Sequence, residues 1–194
     1  MKTLIVYAHL LAACVAVGIL LLQDLALAKT RGNPLSTSAI QELRKAADIM
    51  FIALVILWVS GLTLVVMGYL ENPQQYLMNE KLWAKFTVVS ILTLNGLLLH
   101  YFSFPRVVSH QGLLGRSPLE QTLIAITGAV SSSSWLFACF LGIARPWNYS
   151  APYSFVMIVY AAIVLGAVIV ACNIMRGLRA QEPPVLTDRV QLHA

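Results

Sequence analysis

The ionisable side chains inside apolar stretches are the first candidates for chemistry in this sequence. Lys85 and His100 lie near the two ends of an apolar run from residue 80 to residue 105, and His9 and Asp24 lie within the first apolar run of the chain. An ionisable group at membrane depth is costly, so it is usually paired or functional. Because imidazole is a ligand of haem iron and of copper, these residues predict a metal or redox site.

The composition places these residues in a membrane. Hydrophobic residues make up 59% of the 194 and charged residues 11%, with a mean hydropathy of +0.78, whereas soluble domains have about 25% charged residues. Five apolar segments are each long enough to cross about 30 Å of hydrocarbon; they span residues 4–27, 48–70, 82–104, 122–144 and 153–175. We therefore expect an all-α, polytopic bundle of five transmembrane helices. It forms one domain over residues 1–179, followed by a flexible cytoplasmic tail over residues 180–194.

The distribution of lysine and arginine predicts the orientation of this bundle. One side of the membrane receives Lys29, Arg31, Arg44, Lys45, Arg106, Arg116, Arg176, Arg179 and Arg189, and the other side receives only Lys2, Lys81, Lys85 and Arg145. Because positive residues collect in cytoplasmic loops, the N-terminus is expected outside and the C-terminus in the cytoplasm. The predicted location is the inner (plasma) membrane of a bacterial-type cell.

The first apolar segment has a second interpretation as a cleaved signal peptide. Lys2 precedes the segment, and Ala26-Leu27-Ala28 has the small residues of a cleavage site. The run is longer than a typical signal core and contains His9 and Asp24, so we favour a membrane helix.

The net charge and the cysteines narrow the classes of partner. The net charge of +5 follows from the loop distribution and gives no argument for nucleic-acid binding. Cys14, Cys139 and Cys172 fall inside predicted helices without a CxxC spacing, so neither a disulfide nor a zinc-finger site is expected. The expected partners are the lipid bilayer and a second copy or another membrane subunit.

Helix rise separates the polar side chains into two levels. His9 and Lys85 lie near the outer face, and Asp24 and His100 near the cytoplasmic face. At 1.5 Å per residue, His9 and His100 are about 20 Å apart along the membrane normal, which prevents them from being the two axial ligands of one haem. His110 and His193 lie outside the predicted helices, so paired histidines at both levels are excluded as well. A single site of mixed ligation remains, formed by His9 with Lys85 or by His100 with Asp24.

Two helix patterns bear on this site. At 100° per residue, one stripe of the third helix contains Lys85, Val89, Leu92, Gly96, His100 and Ser103. The fourth helix carries four consecutive serines, Ser131 to Ser134, followed by Trp135. Serine hydroxyls in mid-helix usually bond to the carbonyl four residues earlier, which favours close packing. The alternative is a hydroxyl-lined cofactor or ion path, with Trp135 against the cofactor.

Two helix starts carry capping signals. Ser38 with Gln41 fits a capping box for the second helix, which we expect to begin about two turns before the membrane. Asn79 is placed to cap the third helix.

The first half of the chain resembles two families of bacterial membrane proteins. The resemblance is carried by His9 with Gly18, by Ser60-Gly61, and by Lys81, Leu82, Lys85, Asn95 and His100, over roughly residues 5 to 105. This order is similar to that of CopD-type copper-resistance proteins and of HemJ-type protoporphyrinogen oxidases, as well as of small bacterial membrane proteins with no assigned role. The HemJ resemblance implies haem b on His9 and Lys85. The chain departs from that family at Gln23-Asp24-Leu25, where the family has an arginine- and histidine-bearing end of the first helix.

Three functions remain open. The first is a haem-binding or redox-linked membrane protein, with His9, Lys85 and Trp135 at the cofactor. The second is a carrier of copper or a small solute that uses His9, His100 and Asp24 as ligands. The third is an accessory subunit whose polar residues only hold helices together. The sequence has no GxSxG, HExxH, P-loop or dinucleotide-type glycine motif, and it leaves open whether the protein is an enzyme.

Overall fold

The computed structural model describes residues 1–109 and 112–181, without the side chain of Gln75. The helices are α1 (Lys2–Thr30), α2 (Thr37–Glu71), α3 (Pro73–Leu77), α4 (Glu80–Leu98), α5 (Phe104–Val107), α6 (Pro118–Ile143) and α7 (Tyr153–Ala180). A π-helical turn, Leu99–Ser103, joins α4 to α5, and a 3₁₀ turn, Arg145–Trp147, follows α6.

Five helical segments in the described part of the chain are long and apolar enough to cross a membrane. They are Lys2–Thr30, Thr37–Glu71, Glu80–Val107, Pro118–Ile143 and Tyr153–Ala180. The all-helical class and the five candidate spans predicted from the sequence are therefore confirmed. The predicted tail begins one residue early, because Ala180 is the last residue of α7; residues 182–194 lie outside the described residues, as does His110.

The helix starts differ from their sequence predictions in local detail. α2 begins about as early as expected, but its cap is Ser36, whose hydroxyl accepts from the backbone N–H of Ala39. The capping prediction at Ser38 was therefore wrong by two residues. Asn79 precedes α4, yet its side chain makes no capping bond. Ser117, missed in the sequence, forms a full capping box with Glu120 at the start of α6.

The turn at Leu99–Ser103 changes the register of the third span. Pro105 has no N–H to donate to the carbonyl of Tyr101, and the helix accommodates this locally with a π turn. A π turn accommodates an extra residue, so side chains beyond it no longer follow the 100° pattern of α4. His100, near the start of the turn, is exposed, because at 100° per residue it lies about 140° from the buried Asn95. Ser103 is buried and lies 2.8 Å from Thr127 between hydroxyl oxygens. The predicted stripe through His100 was wrong for that residue.

The helices pack as a pair and a triplet. α1 packs mainly on α2, while α6 packs on α7 and on α4. The core of the triplet contains Ala84, Val88, Phe137, Leu141, Val156 and Tyr160. A second cluster of Ala16, Leu20, Ala53, Leu92 and Trp135 joins the pair to the triplet. The small residues Ala16 and Ala53 let backbones approach, as in other membrane bundles.

Bulky side chains bridge the pair and the triplet elsewhere. The indole N–H of Trp58 on α2 donates to the hydroxyl of Thr93 on α4 at 3.1 Å. The ring of Trp58 also lies 6.3 Å from that of Phe86, between centroids. The seam between α1–α2 and α4 is thus filled by long side chains, and it is there that His9 and Lys85 face the same region.

Candidate functional site

His9 on α1 is held by α2 in a defined tautomer. Its Nδ1 lies 2.8 Å from the hydroxyl oxygen of Ser60, and that hydroxyl lies 2.5 Å from the carbonyl of Ile56. A serine hydroxyl has one proton. Because that proton goes to the Ile56 carbonyl, Ser60 accepts from Nδ1–H of His9, and the lone pair of the neutral imidazole is on Nε2.

The second ring nitrogen of His9 is free to bind. Among the described residues, Nε2 has no hydrogen-bond partner. A Cβ placed on Gly61 would meet only the His9 ring within 4 Å, so α2 leaves room beside the imidazole. Metal-ligating histidines commonly donate their other N–H to an oxygen in this way. The sequence singled out His9, Ser60 and Gly61 but gave no sign that the serine orients the ring.

Lys85 on α4 is a charged group that lies within electrostatic range of this histidine. Its side chain is half-buried, and its ammonium lies within electrostatic range of His9 and of Lys81. Within residues 1–109 and 112–181, no hydrogen bond or ion pair engages Lys85. The structure therefore brings His9 and Lys85 to the same region, as the depth argument predicted, and leaves a cation there without an anion.

Lys81, one turn earlier, has a different role that sequence reasoning missed. Its side chain is only 3% exposed. Its Nζ donates to the carbonyl of Ala144 at 2.5 Å and to Oδ1 of Asn148 at 3.0 Å. Ala144 ends α6, so the ammonium meets the negative end of that helix. The available signal was the i, i+3, i+7 spacing of Lys81 with the buried Ala84 and Val88.

Trp135 and the serines of α6 lie in packed surroundings. Trp135 is 5% exposed, within the cluster that joins the pair to the triplet. Ser133 and Ser134 each donate to the carbonyl four residues earlier, which confirms the expected back-bonding for these two; Ser132 donates to Asp24 instead. Ser134 also lies 2.7 Å from the Tyr160 hydroxyl. Contact of Trp135 with a cofactor stays a prediction.

The inner-level pair of the sequence analysis is not formed. The carboxylate of Asp24 accepts from Ser132 at 2.6 Å, whereas His100 makes an edge contact with the ring of Tyr101 at a centroid distance of 5.1 Å. No ion pair in the described residues joins Asp24 to His100. His100 is exposed and lies away from the buried face of α4, which contains Val88, Leu92 and Asn95. In the described part of the chain, no three His, Cys, Asp or Glu residues converge as a metal site.

A second polar region lies at the end of the bundle where α1 begins and α2 ends, and it was not predicted. A cavity of about 430 Å³ is lined by Lys2, Leu64, Gly68, Glu71, Asn72, Tyr76 and Tyr149; we call it the outer cavity, after the orientation expected from the sequence. Burial raises the pKa of the Tyr76 hydroxyl above its ordinary value, with smaller raising contributions from Tyr149 and Glu71 and a lowering one from Lys2. At the other end of the bundle, an apolar cavity of about 240 Å³ lies between the end of α1 and α7, with Arg31 in its lining. His9 and Lys85 line neither cavity.

Comparisons with protein-family models, with curated proteins and with solved structures find no match to this chain. The chemical capacity of the site therefore has to be argued from its residues. An imidazole with a free Nε2, beside an ammonium without a counter-ion, can bind a metal centre that carries anionic groups.

Proposed function

We propose that this chain is a haem-binding, redox-linked membrane protein whose site lies between α1 and α4. The observation that carries the proposal is the bond from His9 Nδ1–H to Ser60, which leaves Nε2 as the ligating atom. Ser60 would orient the imidazole, as a hydrogen-bonded oxygen does for metal-binding histidines in general. The resemblance to HemJ-type proteins at His9 and Lys85 supports the same assignment.

Lys85 gives the proposed site its second recognition element. A cation at membrane depth without a partner is costly, and a haem carboxylate would neutralise it. When deprotonated, the same amine would instead be a second nitrogen ligand for the iron. Haem b bound there would supply one-electron redox chemistry, while the protein supplies ligation, orientation and charge.

The donor set fits such a group in its chemistry, because it is one neutral imidazole and one unpaired amine. Gly61 has no side chain and leaves space beside the imidazole ring. His9 lines neither cavity, and Trp58 and Phe86 occupy the seam between α1–α2 and α4, so a haem bound to His9 would require these side chains to move.

Single substitutions at His9 and Lys85 test the ligand assignment. After reconstitution with haemin, we expect His9→Ala to lose the Soret band or to bind at least about ten-fold more weakly, since a ligand bond is lost. Lys85→Met is expected to weaken binding or to shift the band. The measurement is a haem titration of the purified protein followed by absorption.

His100→Ala is the matched control. His100 is a second histidine within a candidate span, lies on the same span as Lys85 and is exposed. The variant should retain the wild-type titration. A full haem spectrum in both His9→Ala and Lys85→Met would overturn the assignment. Metal-dependent uptake that responds to His100→Ala would instead favour the copper or solute carrier. If the protein shows neither haem binding nor metal-dependent uptake, the accessory-subunit hypothesis is favoured.

We also propose that the N-terminus lies outside and the C-terminus in the cytoplasm of the inner membrane. The support is the excess of lysine and arginine at one end of the bundle: around the end of α1 and the start of α2, from α5 to the start of α6, and in the last turns of α7. Reporter fusions give the test: alkaline phosphatase inserted in the α6–α7 loop should be active and the same enzyme after residue 180 inactive. The opposite activities would contradict the orientation.

A further inference from the structure

The outer cavity has the walls of a small-molecule site. It lies between the first turn of α1, the end of α2, α3 and the loop after α6, and its volume of about 430 Å³ is within the usual range of ligand pockets, roughly 300 to 1,000 Å³. Leu64 and Gly68 of α2 contribute apolar surface, and the remaining lining is polar.

One cation, Lys2, and one anion, Glu71, line this cavity, so their charges cancel. The ammonium of Lys2 donates to both carboxylate oxygens of Glu71, at 2.8 and 2.7 Å. Both side chains are at least half exposed, at 50% and 60%, so the pair is open to a competitor and contributes little to stability. One N–H of Lys2 remains after these two bonds.

Two phenols add hydrogen-bond donors to the same space. In the described part of the chain, neither the hydroxyl of Tyr76 nor that of Tyr149 has a hydrogen-bond partner. Tyr149, Lys2 and Glu71 each lie within electrostatic range of the Tyr76 hydroxyl. Donors without partners beside an exposed ion pair suit a ligand that brings its own anion and cation.

The backbone holds both phenols in place. A Cβ on Gly68 would overlap the ring of Tyr76, so glycine is required for that close approach. Tyr149 has a φ of 59°, a left-handed conformation that is uncommon for a bulky residue and worth explaining by function. Its neighbour Asn148 is bound to the buried Lys81, which fixes the loop that carries Tyr149.

The outer cavity also lies at headgroup depth. Lys2 and Glu71 stand at the ends of two candidate spans. Tryptophan collects at membrane interfaces. Two tryptophans lie at this end of the bundle, Trp83 in the first turn of α4 and Trp147 in the 3₁₀ turn after α6.

We propose that the outer cavity binds a zwitterion with a primary ammonium and a phosphodiester, the chemistry of a phosphoethanolamine headgroup. Lys2 and the two phenols hold the phosphate, and Glu71 accepts from the ammonium. Binding replaces the Lys2–Glu71 ion pair by two ion pairs, one between Lys2 and the phosphate and one between Glu71 and the ligand's ammonium. The net charge of the site does not change, because the zwitterion is neutral overall. This site lies outside the His9–Lys85 region and does not depend on haem.

Native mass spectrometry of the full chain in detergent tests the proposal by titration with phosphatidylethanolamine and phosphatidylcholine of equal acyl chains. Choline cannot donate to a carboxylate, so ethanolamine should bind about ten-fold more tightly, which is the size of one charge-assisted hydrogen bond. Glu71→Gln should abolish that preference. The double substitution Tyr76→Phe and Tyr149→Phe should weaken the binding of both lipids and keep the preference for phosphatidylethanolamine.

Glu42→Gln is the matched control, because Glu42 is an exposed carboxylate of the same helix far from the cavity; it should behave as wild type. Equal affinities for the two lipids, or a preference that survives Glu71→Gln, would overturn the proposal. Calorimetry with glycerophosphoethanolamine separates two sources of the ligand. Binding of this soluble diester, sensitive to Glu71→Gln, supports a soluble ligand, while a preference seen only with the lipid supports a bilayer headgroup.

Discussion

Replacing Lys81 with alanine is expected to destabilise the fold by roughly 3 kcal/mol, because two hydrogen bonds from a buried ammonium are lost and a cavity forms around the lost side chain. The acceptors are the carbonyl of Ala144, which keeps the N–H of Trp147, and the exposed amide oxygen of Asn148. The loss acts on the end of α6 and on the start of the following loop. The midpoint of thermal unfolding in detergent, followed by circular dichroism, is expected to fall by several degrees.

Lys2→Ala is the control for this prediction, because Lys2 lies at the same end of the bundle as Lys81 and its ammonium also makes two hydrogen bonds, both to Glu71. Its pair with Glu71 is exposed, so its loss should change stability by less than about 1 kcal/mol. Equal effects of Lys81→Ala and Lys2→Ala would contradict the anchoring role of Lys81.

Trp135→Ala is expected to cost about 3 to 5 kcal/mol, the usual range for a large aromatic residue removed from a core. Trp135 packs with Ala16, Leu20, Ala53 and Leu92, which come from three other helices. In a membrane this cost arises from lost packing contacts, because lipid is as apolar as the core. Loosened contact between the pair and the triplet should also appear as faster proteolysis of the loops.

Trp83→Ala provides the comparison, because Trp83 is 49% exposed and its indole N–H donates to the Leu77 carbonyl at 3.0 Å. It should lower the unfolding midpoint much less than Trp135→Ala does. Trp135→Phe should restore part of the stability. If Trp83→Ala proves the more damaging change, Trp135 does not form the junction between the helix groups.

The membrane spans were predictable because length and apolar composition suffice to identify them. The helix ends were harder, since α2 continues as a polar segment before its apolar part and the cap depends on local φ and ψ at Ser36. Ser36 and Ser38 are equally plausible caps in the sequence, and only the backbone geometry distinguishes them.

The buried face of α4 was predicted about one residue out of register. Leu92 is buried as predicted, but the other buried positions include Ala84, Val88 and Asn95, each one residue before a member of the predicted stripe. At 100° per residue, His100 lies about 140° from Asn95 and is exposed, which agrees with the absence of its predicted contact with Asp24. The proline that favours the π turn was visible in the sequence, but the form of the turn was not, because a proline can kink, break or locally widen a helix.

The sequence predicted that His9 and Lys85 lie at the same depth, but it predicted neither the hydrogen bond that orients His9 nor the burial of Lys81. Depth along two helices placed His9 near Lys85, since helix rise is the same for every residue. The tautomer of His9 depends on a contact with Ser60 from another helix, and the burial of Lys81 depends on the end of α6. Such contacts between distant segments follow from how the helices cross, which a single sequence does not encode locally.

The most direct test of the central claim is the absorption spectrum of the purified full-length protein, before and after reconstitution with haemin. The His9–Lys85 assignment predicts a Soret band at about one haem per chain, with bands in the visible region that change on reduction with dithionite. A protein that folds into its helical state and shows no Soret band under either condition would contradict it.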